Sequence, residues 1–179
     1  RKRNGELVPF TVEKIHKIID WSLDSIKGVS AEEIEINAKL NIRDGISSEE
    51  IHKVLIESAA NLISIEKPNY QYVASRLLNY QLRKEVWGGK NPPRLFDFIQ
   101  KNINRGIYDK EILEKYSESE INKLGEIIDH DRDFIFTYAG IRQMADKYLI
   151  RNRFSKQIFE TPQFAYLVMA MAGFIRYPE

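Results

Sequence analysis

Three basic side chains near the start of the chain are spaced to bind one polyanion. Lys2 and Arg3 come directly before the turn-forming pair Asn4-Gly5, and Lys14 falls in the first turn of a predicted helix. Helix N-termini bind anions through free N–H groups, and Lys and Arg make charge-assisted hydrogen bonds with phosphate oxygens. The pattern indicates a triphosphate site; the alternative is a surface hairpin with solvated basic side chains.

The elements that would position these side chains follow from the local sequence. Asn-Gly pairs favour type I′ turns, so residues 1–3 and 6–8 are predicted to pair as a β-hairpin. Pro9 ends the ladder because it lacks an N–H, and Thr11 is a suitable N-cap for the next helix. We therefore predict a basic hairpin across the start of the first helix.

Two other places carry polar side chains at helix ends. Ser48 and His52 are four residues apart at the start of the third predicted helix, so they stack and would bind a ribose hydroxyl or a phosphate. The alternative is a cap and a solvated histidine. Arg83 and Lys84 lie in the last turns of the fourth helix, where their simplest role is to complement the helix dipole.

The remaining candidates for chemistry are weak. Asp129-His130-Asp131 has metal-ligand types, but consecutive residues do not face one way and no second cluster adds ligands, so we predict no metal site and a helix C-terminal turn. The histidines, His16, His52 and His130, have no evident nucleophile partner. No glycine loop of the GxxxxGK type occurs. We predict no catalytic residue in this chain.

Composition narrows the class of protein. The chain has 179 residues, 43% hydrophobic and 30% charged, with a formal net charge of +1. The small net charge gives no overall case for binding nucleic acid or an anionic membrane. Zero cysteines exclude disulfides, zinc-thiolate sites and thiol catalysis. The longest apolar run, 164–175, is too short to span a bilayer, and no signal peptide opens the chain, so we expect a cytoplasmic protein.

The periodicity predicts a mainly helical chain of two domains. The Gly- and Pro-rich stretch 88–93 is the strongest break, so we expect domains at 1–88 and 89–179. Ser30 with Glu33, and Ser117 with Glu120, form capping-box patterns, and Ser47 or Ser48 caps the third helix. The predicted helices are 12–26, 30–42, 48–63, 68–86, 95–103, 110–116, 121–128, 138–148 and 162–175. For the second of these a strand is the alternative, because Ile34, Ile36, Ala38, Leu40 and Ile42 alternate, but the cap favours a helix.

Three further expectations concern packing. The apolar stripe of the third helix comprises Ile51, Val54, Leu55, Ser58, Ala59, Leu62 and Ile63. Residues 151–160 are expected to form irregular chain or a hairpin with Phe154, Ile158 and Phe159 as apolar contacts. The helix 164–175 is apolar on all sides, so we expect every face of it to be buried. Because it lies near the end and the first residue is not Met, we expect a fragment of a longer protein.

Several segments resemble a known family. The opening Lys2-Arg3-Asn4-Gly5 and Val12-Glu13-Lys14-Ile15 resemble the signature of the ATP-cone domain, as do 44–48, 51–52, 68–77 and 82–84. The segments 108–109, 128–133, 147–153 and 158–163 resemble the region between the cone and the catalytic barrel in the large subunit of class I ribonucleoside-diphosphate reductase. The most specific parts are Asp-His-Asp-Arg-Asp at 129–133 and Pro-Asn-Tyr-Gln-Tyr at 68–72.

The resemblance implies a fold and a function. The fold would be a β-hairpin lid over a four-helix bundle, followed by a mostly helical segment that leads to an α/β barrel outside this chain. The cone would bind ATP, which activates the enzyme, or dATP, which inhibits it, with Mg²⁺. Partners would be the radical-bearing small subunit and other large subunits, without nucleic acid or membrane.

The resemblance also implies roles for individual residues. Lys2, Arg3, Lys14 and Lys84 would bind the phosphates, and Ser48 and His52 would contact the sugar. The base would be framed by Val8, Pro9, Phe10, Thr11, Val12, Glu13 and Lys14. Some members of the family carry an acidic residue where this chain has Val8, and Asn where it has Thr11. These two differences would affect the selectivity for the base rather than phosphate binding.

Other classes of protein predict different behaviour. The catalytic cysteines of the family are absent here, so the chain alone is expected to have no reductase activity. A cone-bearing repressor would need zinc-ribbon cysteines, and the anaerobic reductase should lack the segment at 129–133. A nucleotide-independent helical interaction module is the main alternative. A nucleic-acid binder using Arg1-Lys2-Arg3 would show steep salt dependence.

Overall fold

Helices dominate the structure, a computed structural model that describes Glu6 and residues 11–40, 42–89 and 91–177. Within that part, β-pairing is limited to one antiparallel bridge between Arg151 and Ile158. The mainly helical class is confirmed, whereas the predicted hairpin lies, apart from Glu6, outside the described residues. The α-helices are α1 Val12–Leu23, α2 Ala31–Lys39, α3 Ser48–Asn61, α4 Tyr70–Trp87, α5 Leu95–Asn104, α6 Glu111–Lys115, α7 Glu118–Gly125, α8 Tyr138–Gln143 and α9 Pro162–Phe174.

Two shorter helical segments complete the described elements. A 3₁₀-helix covers His130–Ile135, and a π-helical turn, Met144–Tyr148, continues α8. No helix in the described ranges is long and apolar enough to cross a membrane.

The chain divides into two compact units by its internal contacts. The first contains the described residues up to Gln81 together with Phe134–Arg142, and the second contains Leu82–Asp133 and the described residues from Gln143 onward. Helix α4 therefore begins in the first unit and ends in the second. The domains 1–88 and 89–179 stay a prediction.

The core of the first unit is built from the apolar faces of α1 to α4. Its fully buried side chains include Ile19, Ile34, Leu55, Tyr70 and Leu77. Burial of such side chains contributes roughly 1.5–3 kcal/mol each before the cost of ordering the chain is counted. Helix α3 buries a face slightly different from the predicted stripe: His52, Leu55, Ile56, Ser58 and Ala59 are inside. Ile63, predicted to belong to the stripe, is 38% exposed.

One of the two predicted capping boxes forms, and α3 has a capping box that was not predicted. Ser47 Oγ accepts from Glu50 N at 3.1 Å and Glu50 Oε2 accepts from Ser47 N at 2.9 Å, so Ser47 rather than Ser48 caps α3. Ser117 and Glu120 form the same reciprocal pair at the start of α7. These local signals are strong because both partners lie within one helical turn.

The other predicted box, Ser30 with Glu33, is wrong. Ser30 occupies the N-cap position of α2 but its side chain makes no capping bond. The carboxylate of Glu33 instead accepts from Tyr70 Oη at 2.6 Å and contacts Lys67 Nζ at 2.5 Å. Thr11 is likewise the N-cap of α1, as predicted, but has no side-chain cap hydrogen bond.

The Tyr70–Glu33 contact sits at the edge of the first core. Tyr70 Oη also accepts from Ser30 N at 2.9 Å, and burial followed by the Glu33 hydrogen bond raises the pKa of Tyr70 to about 12. The hydrogen bonds from Lys67 and then Tyr70 lower the pKa of Glu33, whose side chain is 37% exposed.

The second unit has its own apolar core. Phe98 and Phe164 pack with ring centroids 4.4 Å apart, and Ile99, Ile112 and Ile121 of this unit are also buried. Helices α5 and α7 approach closely at Gly125, where an added Cβ would lie 3.0 Å from Leu95 Cβ. A larger residue at this crossing would need Leu95 to shift by a few tenths of an ångström.

A buried polar pair fixes the start of α9 in this unit. Tyr108 Oη donates to Glu160 Oε2 at 2.7 Å, and Ile150 N donates to Glu160 Oε1 at 2.8 Å. Glu160 is 4% exposed. Burial raises the pKa of Glu160 against the opposing effect of these two hydrogen bonds, and burial followed by the nearby carboxylate raises the pKa of Tyr108.

Three expectations for the second half need correction. Helix α9 buries Phe164, Ala165, Val168 and Met171, but Tyr166, Met169 and Phe174 are 44%, 58% and 64% exposed, so it has one open face. Phe154 makes no apolar core contact and is 96% exposed, because a tight turn closed by Asn152 N and Gln157 O at 2.8 Å turns it outward. Helix α7 ends at Gly125, earlier than predicted.

Candidate functional site

The predicted site residues are only partly within the described chain. Lys2, Arg3, Val8, Pro9 and Phe10 lie outside the described residues. The remaining candidates are Thr11, Val12, Glu13, Lys14, Ser48, His52 and Lys84.

The first turn of α1 is open to solvent. Thr11, Val12, Glu13 and Lys14 are all exposed. Thr11 has extended backbone angles, φ −115° and ψ 102°, and Lys14 N is 3.3 Å from Thr11 O. A helix start of this kind presents N–H groups and a positive dipole end, which suits an anion or a hydrogen-bonding base edge.

His52 lies inside the first unit rather than in solvent. It is 7% exposed, and its Nε2 is 2.9 Å from Leu77 O. Because a carbonyl oxygen only accepts, this contact places a proton on Nε2. The alternative of a solvated histidine is therefore wrong, and α4 sets the orientation of the ring.

Ser48 differs from His52 although both lie on one face of α3. It is the first residue of the helix and is exposed. Since Ser47 makes the capping box, the Ser48 hydroxyl is not used for capping and forms no hydrogen bond to the described part of the chain. One side chain of the predicted pair is fixed and the other is open.

A row of aromatic rings extends from His52. The sequence alone did not connect these rings with the site. The Tyr80 ring lies 5.4 Å from His52 at 31°, and Trp21 lies 5.6 Å from Tyr80 and 5.4 Å from Phe134. The available signal was the three-residue spacing of Leu77 and Tyr80, which puts the carbonyl and the ring on one side of α4. Trp21 and Phe134 gave no comparable local signal, because their contacts are distant in sequence.

The last turns of α4 hold Lys84 beside a buried arginine. Arg83 Nη2 donates to His130 O, and the guanidinium lies near two carboxylates, with Nη1 3.6 Å from Asp131 Oδ1 and Nη2 3.9 Å from Asp133 Oδ2. Its Cζ is 5.1 Å from the Trp87 ring centroid. Arg83 thus makes far more contacts than dipole complementation requires.

The Asp-His-Asp-Arg-Asp segment has a structural explanation in these contacts. It begins a 3₁₀-helix rather than the helix C-terminal turn that was predicted, because α7 has already ended. Burial, followed by the charge of Arg83, lowers the pKa of His130 to about 4. Burial raises the pKa of Asp133 to about 6, opposed by Gln163 and Arg83. Among the described residues, no group of three or more His, Asp or Glu side chains is arranged to bind a metal ion.

Comparison with known proteins finds a family model that is similar to the first half of the chain. Residues 1–85 match the family model of the ATP cone domain. The first half of the chain is therefore similar to an ATP cone. All the predicted nucleotide-binding residues, from Lys2 to Lys84, fall inside the matched stretch, whereas the partners of Arg83 at 130–133 follow it.

Curated relatives extend the similarity beyond the cone. The chain is 40% identical over 177 residues to ribonucleoside-diphosphate reductase 1 subunit alpha of Escherichia coli (strain K12), covering 99% of this chain and 23% of the relative. It is 42% identical over 173 residues to the subunit alpha of Enterobacteria phage T4, covering 96% and 22%. It is 37% identical over 178 residues to that of Haemophilus influenzae, covering 99% and 24%. The chain therefore resembles the N-terminal region of these subunits and spans about a quarter of their length.

Proposed function

We propose that the ATP cone binds ATP and dATP reversibly and sets the overall activity of a class I ribonucleoside-diphosphate reductase large subunit. The observation that carries this is the cone match at 1–85 within a chain similar over 99% of its length to such subunits. Residues 1–88 would be the regulatory domain, and 89–179 would belong to the helical segment leading to the catalytic barrel. The finer fold, a hairpin lid on a four-helix bundle, is part of this proposal.

The proposed contacts follow the chemistry of a nucleoside triphosphate. Lys2, Arg3, Lys14 and Lys84 would neutralise the phosphates together with Mg²⁺. The exposed start of α1 suits the base, for which Thr11 offers a hydroxyl. Ser48 and His52 would meet the sugar. The regulated partners would be the radical-bearing small subunit and other large subunits, in the cytoplasm.

ATP and dATP differ by one ribose hydroxyl, so regulation requires a group that detects it. We propose that Ser48 and His52 are the discriminating residues. The buried, oriented ring of His52 supports this, because a fixed hydrogen-bonding group distinguishes two ligands better than a mobile one. A coupling of a few kcal/mol, comparable to one hydrogen-bonded group, is sufficient to shift a two-state equilibrium.

Calorimetric titration of the 179-residue chain with ATP and with dATP, in Mg²⁺, tests nucleotide binding. We expect micromolar binding of both nucleotides and a large loss for Lys84→Ala, while Lys115→Ala, an exposed lysine on α6, serves as a charge-matched control. A folded chain that binds neither nucleotide would contradict the proposal and favour the helical interaction module. The open face of α9 is the observation that favours that second candidate.

A second experiment tests discrimination. We expect His52→Ala and Ser48→Ala to change the ratio of ATP to dATP affinity, whereas Lys84→Ala weakens both nucleotides alike. His52 is buried, so His52→Ala can also lower stability. Ser48 is exposed, so Ser48→Ala tests discrimination without that effect. Unchanged ratios in both variants would exclude these residues as discriminators.

The chemistry of reduction must come from outside this chain. The family uses cysteines to form a thiyl radical and to reduce the sugar, and this chain has none. We propose that the 179-residue chain has no reductase activity, and turnover by the purified chain would contradict the assignment of its residues to regulation.

A further inference from the structure

The group around Arg83 has no role in the function proposed above. We call it the Arg83 clamp and define it as Arg83, Trp87, His130, Asp131 and Asp133. The arginine side chain is only 12% exposed. It reaches a backbone carbonyl, two carboxylates and an indole ring at once. A planar guanidinium with five donors is suited to such a multiple contact, and a lysine ammonium is not.

The charge balance of the clamp shows that the arginine is held in place. Burial lowers the pKa of Arg83, while Asp133 and Asp131 raise it, so the acidic partners offset the cost of removing the cation from water. Arg83 remains charged because its pKa starts far above neutrality. Loss of the Arg83 guanidinium would leave the fully buried Asp133 without its nearby cation.

The far side of the clamp is itself anchored. The His130 ring packs edge-on against Trp87 at 5.1 Å and Phe164 at 4.8 Å. Asp131 N donates to Asp129 Oδ1 at 3.0 Å. The clamp therefore joins the last turns of α4 to a firmly packed segment rather than to a loose loop.

A second tether acts on the same helix end. Glu85 Oε1 accepts from Ile158 N at 2.8 Å. Helix C-termini otherwise fray, because their last carbonyls have no partner within the helix. Lys84 lies between these two tethered residues, so its backbone is held on both sides.

We propose that Arg83 is a positioning residue for Lys84. This rests on the proposed nucleotide function. The clamp holds the last turns of α4 in one conformation, so that the Lys84 ammonium is presented to the triphosphate without ordering the helix end during binding. Preorganisation of this kind raises affinity by reducing the entropy lost on association. Arg83 acts through Lys84 and is not itself a phosphate ligand.

The test is a double-mutant cycle on ATP affinity, measured by calorimetry with Mg²⁺. Arg83→Lys keeps the positive charge but removes the planar guanidinium, and we expect it to weaken ATP binding about fivefold. In the Lys84→Ala background, Arg83→Lys should cause no further loss. Arg94→Lys is the matched control, because Arg94 pairs with Glu118 at 2.6 Å on an exposed surface, and it should leave affinity unchanged.

Several results would overturn this inference. The first is an ATP affinity that Arg83→Lys leaves unchanged. The second is an equal loss of affinity from Arg83→Lys with Lys84 present and with Lys84→Ala, which would mean that Arg83 acts independently of Lys84. If Arg83→Lys does not fold, Asp131→Asn replaces it, since Asp131 is 83% exposed. We then expect about a twofold loss that also vanishes without Lys84, and a loss that persists would overturn the proposal. A wild-type chain that does not bind ATP would instead refute the proposed function.

Discussion

Each unit contains a tyrosine that donates a hydrogen bond to a glutamate, and the two pairs behave differently. The Tyr70–Glu33 and Tyr108–Glu160 distances are 2.6 and 2.7 Å. Glu33 is partly exposed and pairs with Lys67, and its pKa is lowered. Glu160 is buried, has no Lys or Arg in salt-bridge distance among the described residues, and its pKa is raised.

The difference shows that hydrogen-bond length does not determine the charge of a carboxyl group. The tyrosine lowers the glutamate pKa in both pairs. In Glu33 the hydrogen bonds from Lys67 and Tyr70 outweigh the effect of burial, whereas in Glu160 burial outweighs two hydrogen bonds. The two pairs should therefore respond differently to substitution and to pH.

Removal of the carboxyl groups should separate the pairs most strongly. We expect Glu160→Ala to lower the free energy of unfolding by about 3 kcal/mol, because it leaves the Tyr108 hydroxyl and the Ile150 N–H buried without an acceptor. Glu33→Ala should cost clearly less, since Lys67 is 45% exposed and Tyr70 Oη keeps its contacts with the Ser30 backbone. Urea unfolding of both variants measures this, and equal losses would contradict the comparison.

Removal of the hydroxyl groups should give a smaller difference in the same direction. Tyr108→Phe takes a donor from a buried carboxylate, and we expect it to cost about 2 kcal/mol. Tyr70→Phe should cost about 1 kcal/mol, because Glu33 keeps Lys67 and solvent. Urea unfolding of both variants measures the two losses of stability. A larger loss for Tyr70→Phe would contradict the comparison, because it would show that the Tyr70–Glu33 pair depends more on its tyrosine.

The pH dependence of stability should distinguish the pairs by sign. The raised pKa of Glu160 means that the folded state binds the extra proton, so this group favours folding at low pH. Its contribution falls as pH rises from about 4.5, the ordinary value, through the raised folded pKa. The lowered pKa of Glu33 gives a contribution that is present above about 4.5 and is lost as pH falls through the lowered folded pKa.

Glu160→Gln and Glu33→Gln provide the controls for this pH effect. The stability of wild type relative to Glu160→Gln should decrease with rising pH, and that relative to Glu33→Gln should increase. Thermal melts from acidic to neutral pH measure both differences. Slopes of the same sign would show that the two environments do not differ as described.

Signals confined to one helical turn predicted local structure well. Ser117 with Glu120 forms the expected capping box, and Ser47 is one of the two residues expected to cap α3. The terminal helix starts at Pro162, as expected. Such pairs form because the geometry of a helix start brings the two residues together, provided that no distant residue binds either side chain instead.

Signals that depend on distant residues were not predictable in the same way. Glu33 failed to cap α2 because Tyr70 and Lys67, more than 30 positions away, bind its carboxylate. The burial of His52 follows from the Leu77 carbonyl on α4. For the candidate site, spacing on one helix identified Ser48 and His52 as neighbours but did not show that one is fixed and the other open. The basic residues at 2 and 3 remain a prediction.

The close approach of α5 and α7 at Gly125 has a consequence for how sequence change is tolerated. A single added methyl group there would meet Leu95 Cβ at 3.0 Å, whereas Gly173 on α9 has nothing within 4 Å of an added Cβ. Two glycines of one unit therefore differ in mutational freedom. A substitution of Gly125 has to be accommodated by a shift of Leu95, whereas one of Gly173 meets no described neighbour.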